Sequence, residues 1–591
     1  MRKEQLYGTF CKPKLAELLS ALKLDIEYTA ASGNYLHTAK DRKVLDFISG
    51  FGASMLGHNH PDLVNCAIEA LQNNIPFNAQ GSIRGDAALL AERLNQLTPQ
   101  ENDYYVNFSN SGAESVEAAI KHAYKIQFDK VRRKYEQISR VLNDFYYQVE
   151  NQHLELDFPG KNDNITDFRD DLDEYNLAQF EAFQNNPVMI AFKGSFHGKS
   201  TSALKVTFNK SYREGFEGLS SIRTVYIDPD TPQRLPEIIN EHICTFYYPV
   251  LNGNTVTLRP IVITCVIGFI LEIVLGEGGI RPIPDKTLQY LTDQHEKLAI
   301  PYIVDEIQTG CGRTGSIFAY SQTPLRDIQP EYITLSKALG GGLVKIGATM
   351  IAKHIYDHDF GILHTSTFGE DEYSSRIALR FLNLLTKDDN ALLTQVETKS
   401  QRLMAKLQQL QKLYPAIIKD VRGRGLMIGV ELTALEGRSP FFRSSGKQGV
   451  LSLLIASYLL HYHDIRVLAP LTTMLKGNPG KLRLSIIRIQ PPATISDEEI
   501  DRLYEALKEV LEIIDCNNEF CLVEHLSNTA VAKDKLIHPT RFPALWPITT
   551  ESSHIDARTG FVVHPTRLKN LLEYYFPSFH QYDFAENGLF N

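Results

Sequence analysis

The chain has 591 residues, more than one ordinary domain accommodates, and 43% of them are hydrophobic, enough for a large core and against wholesale disorder. Its formal charge of −9, from 61 basic and 70 acidic side chains, provides no general electrostatic footprint for nucleic acid. Seven scattered cysteines without a CxxC pair argue against a disulfide framework and for a reducing, cytoplasmic setting.

In chain order, the N-terminal MRKEQLYGTF lacks the apolar stretch of a secretory signal. Asn110 to Ala113 (NSGA) then opens a helix that continues through Val116, Ala119, Ile120 and Ala123. Small residues and the free N–H groups of a helix start suit a phosphate. Ser111 and Glu114 equally have the spacing of a capping box, so the segment alone does not decide between the two roles.

From about Gln127 to Asn186 the sequence turns polar and rich in Tyr and Asp. Val131, Tyr135, Ile138, Leu142, Phe145 and Val149 recur at helical spacing, as do Phe168, Leu172 and Tyr175. Phe158 to Asn162 (FPGKN) has the composition of a turn between them. The expectation is an inserted helical hairpin on the surface or at a subunit contact, with the basic cluster Lys130 to Lys134 as a solvated helix face.

Short apolar runs then alternate with helical patterns, which predicts an α/β fold with a mainly parallel sheet. Strands are predicted at Val188 to Phe192, Val266 to Leu271, Tyr302 to Val304 and Ile346 to Ile351. The longest apolar run, Ile261 to Leu271, ends at Glu272 and falls short of the ~20 residues of a membrane helix; it reads as a buried strand. Gly194 to Ser200 (GSFHGKS) is one residue short of a nucleotide-binding P-loop, and Gly423-Arg424-Gly425 lacks the third glycine of a dinucleotide fingerprint. Kinase and dehydrogenase readings therefore fall away.

Two strand ends carry chemistry. Ile303 to Gly315 (IVDEIQTGCGRTG) runs an apolar strand into Asp305-Glu306 and a Gly-rich turn. That carboxylate could bind metal, act as a base or hold a heterocyclic N–H, metal being the weakest option without ligand partners nearby. In Ile333 to Gly342 (ITLSKALGGG) a lysine follows a strand and precedes three glycines. A desolvated lysine has a lowered pKa and attacks aldehydes. His364 to Gly369 (HTSTFG) adds a hydroxyl-rich loop. After Asp515 comes a tail with the single tryptophan, Trp546, and two HPTR copies at His538 to Arg541 and His564 to Arg567, read as a packed appendage.

Eight segments in order resemble the class III aminotransferases, the ornithine, 4-aminobutyrate and other omega-amino transaminases of pyridoxal-phosphate fold type I. They are LDFISGFGASMLGHNHP (Leu45 to Pro61), SGAESVEAA (Ser111 to Ala119), IAFKGSFHGKS (Ile190 to Ser200), GEGG (Gly276 to Gly279), DEIQTGCGRTG (Asp305 to Gly315), SKALGGG (Ser336 to Gly342), HTSTFG (His364 to Gly369) and VRGRGLMIGVEL (Val421 to Leu432). The resemblance spans roughly Val44 to Leu511.

It implies a large domain with a mainly parallel sheet and a smaller α+β domain. Residues 1–75 would pack with the small domain, 76–370 form the large one (interrupted by the insertion at about 127–186), 371–514 the small one, and 515–591 an extension. Pyridoxal 5'-phosphate would be held as a Schiff base on Lys337, with Asp305 facing the ring nitrogen and Gln308 near the phenolic oxygen. Phe196 would stack on the ring with His197 beside it, Glu272 would sit near its substituents, and Ser111, Gly112 and Ala113 would hold the phosphate. Thr367 would reach that phosphate from a second subunit of a homodimer. Glu277 and Arg488 would form a switch for a substrate carboxylate, letting the enzyme alternate between an amine or ω-amino compound and a keto acid; the same scaffold also serves aminomutases, racemases and decarboxylases. Two departures from the family pattern bear on the substrate: Glu272 to Leu275 is EIVL where Glu-Pro-Val-Gln is usual, and Glu370 to Glu372 replaces Gly-Asn-Pro.

Overall fold

The computed structural model describes residues 3–99, 103–149, 155–157, 165–470 and 485–526. Seven strands form its central sheet: β1 (Tyr104–Ser109), β2 (Val188–Phe192), β3 (Arg223–Ile227), β4 (Val266–Glu272), β5 (Tyr302–Asp305), β6 (Tyr332–Leu335) and β7 (Gly347–Ala352). Every residue of β2, β4, β5, β6 and β7 is buried, as expected of strands covered on both faces, and this is why they read as unbroken apolar runs. The order is β1-β7-β6-β5-β4-β2-β3. Neighbours from β3 to β6 are parallel, and β7 is antiparallel to both β6 and β1. Glu272, Asp305 and Thr334 lie level across β4, β5 and β6, so the chemistry-bearing residues gather at one carboxyl edge, where open α/β sheets bind ligands.

Beyond β1 runs helix α1 (Gly112–Val149), a single rod of 38 residues and ~57 Å. Its first turns bury Val116, Ala119, Ile120 and Ala123 on the sheet, against Met189, Ile270 and Ile351. Its far end packs Leu142, Phe145 and Val149 on Phe168 and Leu172 of helix α2 (Ile165–Asn185). Between the two helices Tyr124 stacks on Phe183 and Tyr135 on Phe180, with ring centres 5.9 and 5.4 Å apart. The insertion is thus a helical pair, but its first helix is a continuation of the helix that opens at Ser111.

The structure also corrects the reading of Ile261 to Leu271 as one strand. The run breaks at Cys265: Thr255–Thr264 pairs antiparallel with Ile243–Asn252 in a separate ribbon, and only from Val266 does the chain enter the central sheet. The Cys265 N–H is diverted to the His242 carbonyl at 2.7 Å, which turns the chain between the two sheets. The ribbon packs on α2, where the buried Asn176 amide both donates to and accepts from the Tyr247 backbone at 2.9 Å. Phe158 to Asn162 and the tail with Trp546 and both HPTR copies lie outside the described residues.

A second, antiparallel sheet holds β8 (Ile418–Arg424), β9 (Met427–Leu432) and β10 (Ile486–Ile489), covered by helices Lys387–Leu413 and Asp497–Asp515. The latter starts in a complete capping box of Ser496 and Glu499. N-terminal strand Lys43–Asp46 runs parallel to Ile465–Arg466. The fully buried Arg313 guanidinium donates to the carbonyls of Gly52, Leu426 and Pro491, pinning the N-terminal loop, the β8–β9 turn and the end of β10 to the loop after β5.

Candidate active site

Two carboxylates stand side by side at the sheet edge. Asp305 Oδ1 accepts the Ile307 N–H at 3.0 Å and Oδ2 accepts His197 Nδ1–H at 2.7 Å. His197 Nε2 is buried with no hydrogen-bond partner among the described residues. Next to it, Glu272 Oε1 accepts the Phe196 N–H at 2.9 Å and Oε2 the Gly276 N–H at 3.1 Å. Burial pushes the Glu272 carboxyl up to about 7, with His197 pulling it down and Asp305 pushing it further up. Glu306, also buried, is pushed up to about 7 in the same way, against hydrogen bonds from Thr309 and the Tyr320 N–H.

These shifts give a pH dependence. An acid whose folded pKa is raised favours the fold below its unfolded value and loses that contribution as pH rises through the folded one. In cofactor-free protein the stabilising share of these two carboxyls is therefore expected to be lost between about pH 4.5 and pH 7. Glu272→Gln, which keeps the neutral shape, should remove up to ~3 kcal/mol of that loss. Denaturant unfolding across this window checks it; slopes identical in the two proteins would contradict the account.

Lys337 follows β6 by two residues and opens a short turn with φ +39°, a left-handed conformation that costs strain in a non-glycine residue and clusters at functional sites. Its side chain is half-buried. Burial lowers its pKa, opposed by the carboxylates of Asp305, Glu272 and Glu277. The last two of the three glycines after it are required by packing: a side chain at Gly342, φ +74°, would stand 2.8 Å from the Ser54 backbone.

At the start of α1, Ser111 Oγ accepts the Glu114 N–H at 3.4 Å, while the Glu114 carboxylate accepts the Asn110 N–H at 2.6 Å. This differs from the predicted capping box, in which the glutamate would close on Ser111 itself. The N–H groups of Gly112 and Ala113 have no intrahelical partner by helix geometry. Gly112 is pressed against Ile307, where a Cβ would meet the side chain at 2.9 Å, so the helix start lies beside the residue two beyond Asp305. Asn110 Nδ2 also donates to Ser366 Oγ at 3.2 Å. Thr367, by contrast, is exposed, and among the described residues its carbonyl accepts from Gln80 Nε2 while its hydroxyl has no partner.

Phe196 meets Tyr212 edge-on with centroids 5.9 Å apart, and the Lys199 ammonium lies 3.8 Å from the Tyr212 ring centre. Arg488, on β10 and 3% exposed, donates to Glu277 Oε1 at 2.8 Å, and Tyr212 OH donates to Glu277 Oε2 at 3.4 Å. Burial would raise the Glu277 carboxyl, but Arg488 outweighs it and holds it below the usual carboxylate range. Gln308 Nε2 donates to Gln490 Oε1 at 3.4 Å, and a side chain at Gly276 would collide with the Gln308 amide oxygen. Tyr212 and Gln490 carry no sequence signal for this place. The acidic departure at Glu370 to Glu372 is explained: Glu370 pairs with Arg84, Asp371 caps helix Glu372–Leu385, and Glu372 accepts the N–H groups of Gly85 and Asp86.

These residues fit pyridoxal phosphate. Two adjacent buried carboxylates call for a cation, which a protonated ring nitrogen provides. A lysine of depressed pKa stands with them, and buried polar atoms without partners among the described residues (His197 Nε2, Arg488 Nε and Gln490 Nε2) surround the same edge. Fold and site together define a pyridoxal-phosphate-dependent transferase of fold type I. The chain belongs to the class-III aminotransferase family, whose profile matches residues 20–511. It is 29% identical over 496 residues to the putrescine aminotransferase of Pectobacterium atrosepticum, covering 82% of each chain. Among solved structures it is similar to the adenosylmethionine-8-amino-7-oxononanoate aminotransferase of Methanocaldococcus jannaschii, with TM-score 0.61, 22% identity, and coverage of 85% of this chain and 100% of that one. The ornithine aminotransferase of Toxoplasma gondii gives TM-score 0.57 and 18% identity, with 86% and 97% covered. The protein is a pyridoxal-phosphate-dependent aminotransferase acting on amine and keto acid substrates.

Proposed function

We propose that Lys337 is the amine that holds pyridoxal phosphate covalently and that the enzyme passes an amino group from an amine or ω-amino compound to a keto acid in two half-reactions. The carrying observation is the Lys337 amine, its pKa lowered by burial, set among Asp305, Glu272 and Glu277. When bound, the cofactor ring is an electron sink for the carbanion left when a substrate carbon loses its proton.

Around it, Lys337 Nζ takes the proton from the amine-bearing carbon and returns one in the reverse half-reaction. Asp305 faces the ring nitrogen and keeps it protonated, fixed from behind by His197 Nδ1–H. Phe196 would stack on the ring, with Glu272 beside it and Gln308 near the phenolic oxygen, while Ser111, Gly112 and Ala113 would present the helix start to the phosphate. Arg488 binds the carboxylate of the amino- or keto-acid partner bidentately, and Glu277 covers it when the substrate is an amine without one. The names of the putrescine and ornithine relatives favour a diamine-type donor.

Adding putrescine or ornithine to the loaded protein should convert its cofactor stoichiometrically to pyridoxamine phosphate. Turnover with the cofactor left in the aldehyde form would overturn the transaminase reading in favour of an aminomutase, racemase or decarboxylase.

The working unit in this reading is a cytoplasmic homodimer. Ile83, Ile362, Leu363 and Phe368 are exposed apolar side chains, three of them on or beside the loop that carries Thr367, and this is the surface a second copy would cover. Thr367 of the partner subunit would then donate to the phosphate. Thr367→Val should weaken pyridoxal phosphate binding about tenfold, read by equilibrium dialysis; unchanged affinity would contradict the contribution across subunits.

A further inference from the structure

We propose that Gln490 is a specificity-determining residue of the keto-acid half-reaction, donating its buried side-chain N–H to the same substrate carboxylate that Arg488 binds. The inference rests on the carboxylate-binding role proposed above for Arg488 and extends it to a residue to which the family resemblance assigns no role.

The placement starts from strand geometry. Residues two apart on an extended strand present side chains to the same face, so Arg488, on β10, and Gln490, just past its end, point together. Both backbones are held firmly: Arg488 exchanges N–H and C=O bonds with Leu468, and the Gln490 N–H donates to Phe47 O at 2.7 Å. Pro491 follows, its carbonyl taken by the buried Arg313. The two side chains are therefore aimed by a rigid support.

Each then keeps a donor in reserve. Arg488 Nη1 is committed to Glu277, but Arg488 Nε has no partner among the described residues, in a side chain 3% exposed. Gln490, 1% exposed, uses Oε1 to accept from Gln308 Nε2, and its own Nε2 has no partner among the described residues. A buried donor without an acceptor is costly, and two donors on one face of the chain are both satisfied when a ligand supplies the acceptor. Two N–H donors on one face suit the two oxygens of a carboxylate. With its oxygen accepting from Gln308, the Gln490 amide presents its N–H to the site, which favours an anion over an amine. A site built to donate discriminates strongly against a partner lacking the acceptor, which is how an enzyme using two unlike substrates separates them.

The test uses holoenzyme with 2-oxoglutarate and putrescine as substrates, and glutarate as an unreactive carboxylate probe. Gln490→Leu keeps size and removes the donor. The KM for 2-oxoglutarate is expected to rise about tenfold, glutarate affinity by calorimetry to fall by the same factor, and the putrescine KM to change less than twofold. Gln490→Glu, with an acceptor and a negative charge in place of the donor, should weaken glutarate further. Equal changes in both substrates, or glutarate affinity untouched in Gln490→Leu, would overturn the proposal. Arg488→Met separates the two layers: if it abolishes glutarate binding while Gln490→Leu leaves it intact, only the role of Gln490 fails; if Arg488→Met leaves glutarate binding intact, the carboxylate site itself is misplaced.

Discussion

Replacing Lys337 by alanine is expected to lower turnover of the pyridoxal-phosphate-loaded enzyme by on the order of 10⁴-fold or more, the largest effect of any single substitution. Two functions vanish with one amine: the covalent hold on the cofactor and the base that moves the substrate proton. The amine is suited to the second because burial has already lowered its pKa, leaving a larger neutral fraction near neutral pH than a surface lysine keeps. Stability should change little, since a desolvated amine is removed rather than a packed hydrophobe. Lys337→Arg, which keeps charge and length but cannot act as a base, should be equally inactive. Steady-state kcat, with thermal unfolding as the control, measures this; loss under a hundredfold with the fold intact would count against the role.

Asp305→Asn is expected to cost roughly 10²- to 10³-fold in kcat. Asparagine keeps the size but not the charge that favours a protonated ring, and an opposite charge at such range is worth about one to three pKa units, each a factor of ten. His197 Nδ1–H would also lose its anionic acceptor at 2.7 Å, loosening the group that aims the carboxylate. Pre-steady-state kinetics of the first half-reaction are the appropriate readout, because product release then cannot mask the proton-transfer step. A fall smaller than tenfold would mean that the ring does not depend on Asp305 for its charge.

Much of this site is legible in the sequence because its residues sit where secondary structure ends. Asp305 closes the apolar run of β5 and Lys337 stands two residues past the buried strand β6, and strands buried on both faces announce themselves by such runs. What is not legible depends on distant contacts. His197 meets Asp305 across 108 positions, and Gln308 meets Gln490 across 182, with nothing local to mark either pair. The break at Cys265 is hidden because both flanking segments are apolar and β-branched; only the two sheets they join distinguish them. The helix from Gly112 to Val149 reads as two because the surface it covers changes along its length, from the central sheet to α2, while the backbone runs on. At that junction Gln127, a buried polar residue, donates to the Thr264 carbonyl at 2.6 Å and ties the helix to the ribbon.

The most direct test is chemical. Borohydride reduction of freshly loaded protein, followed by proteolysis and peptide mapping, should place one pyridoxyl group per chain on Lys337. A pyridoxyl group on any other lysine, or none at all, would contradict the assignment on which the roles of Asp305, His197, Arg488 and Gln490 all depend.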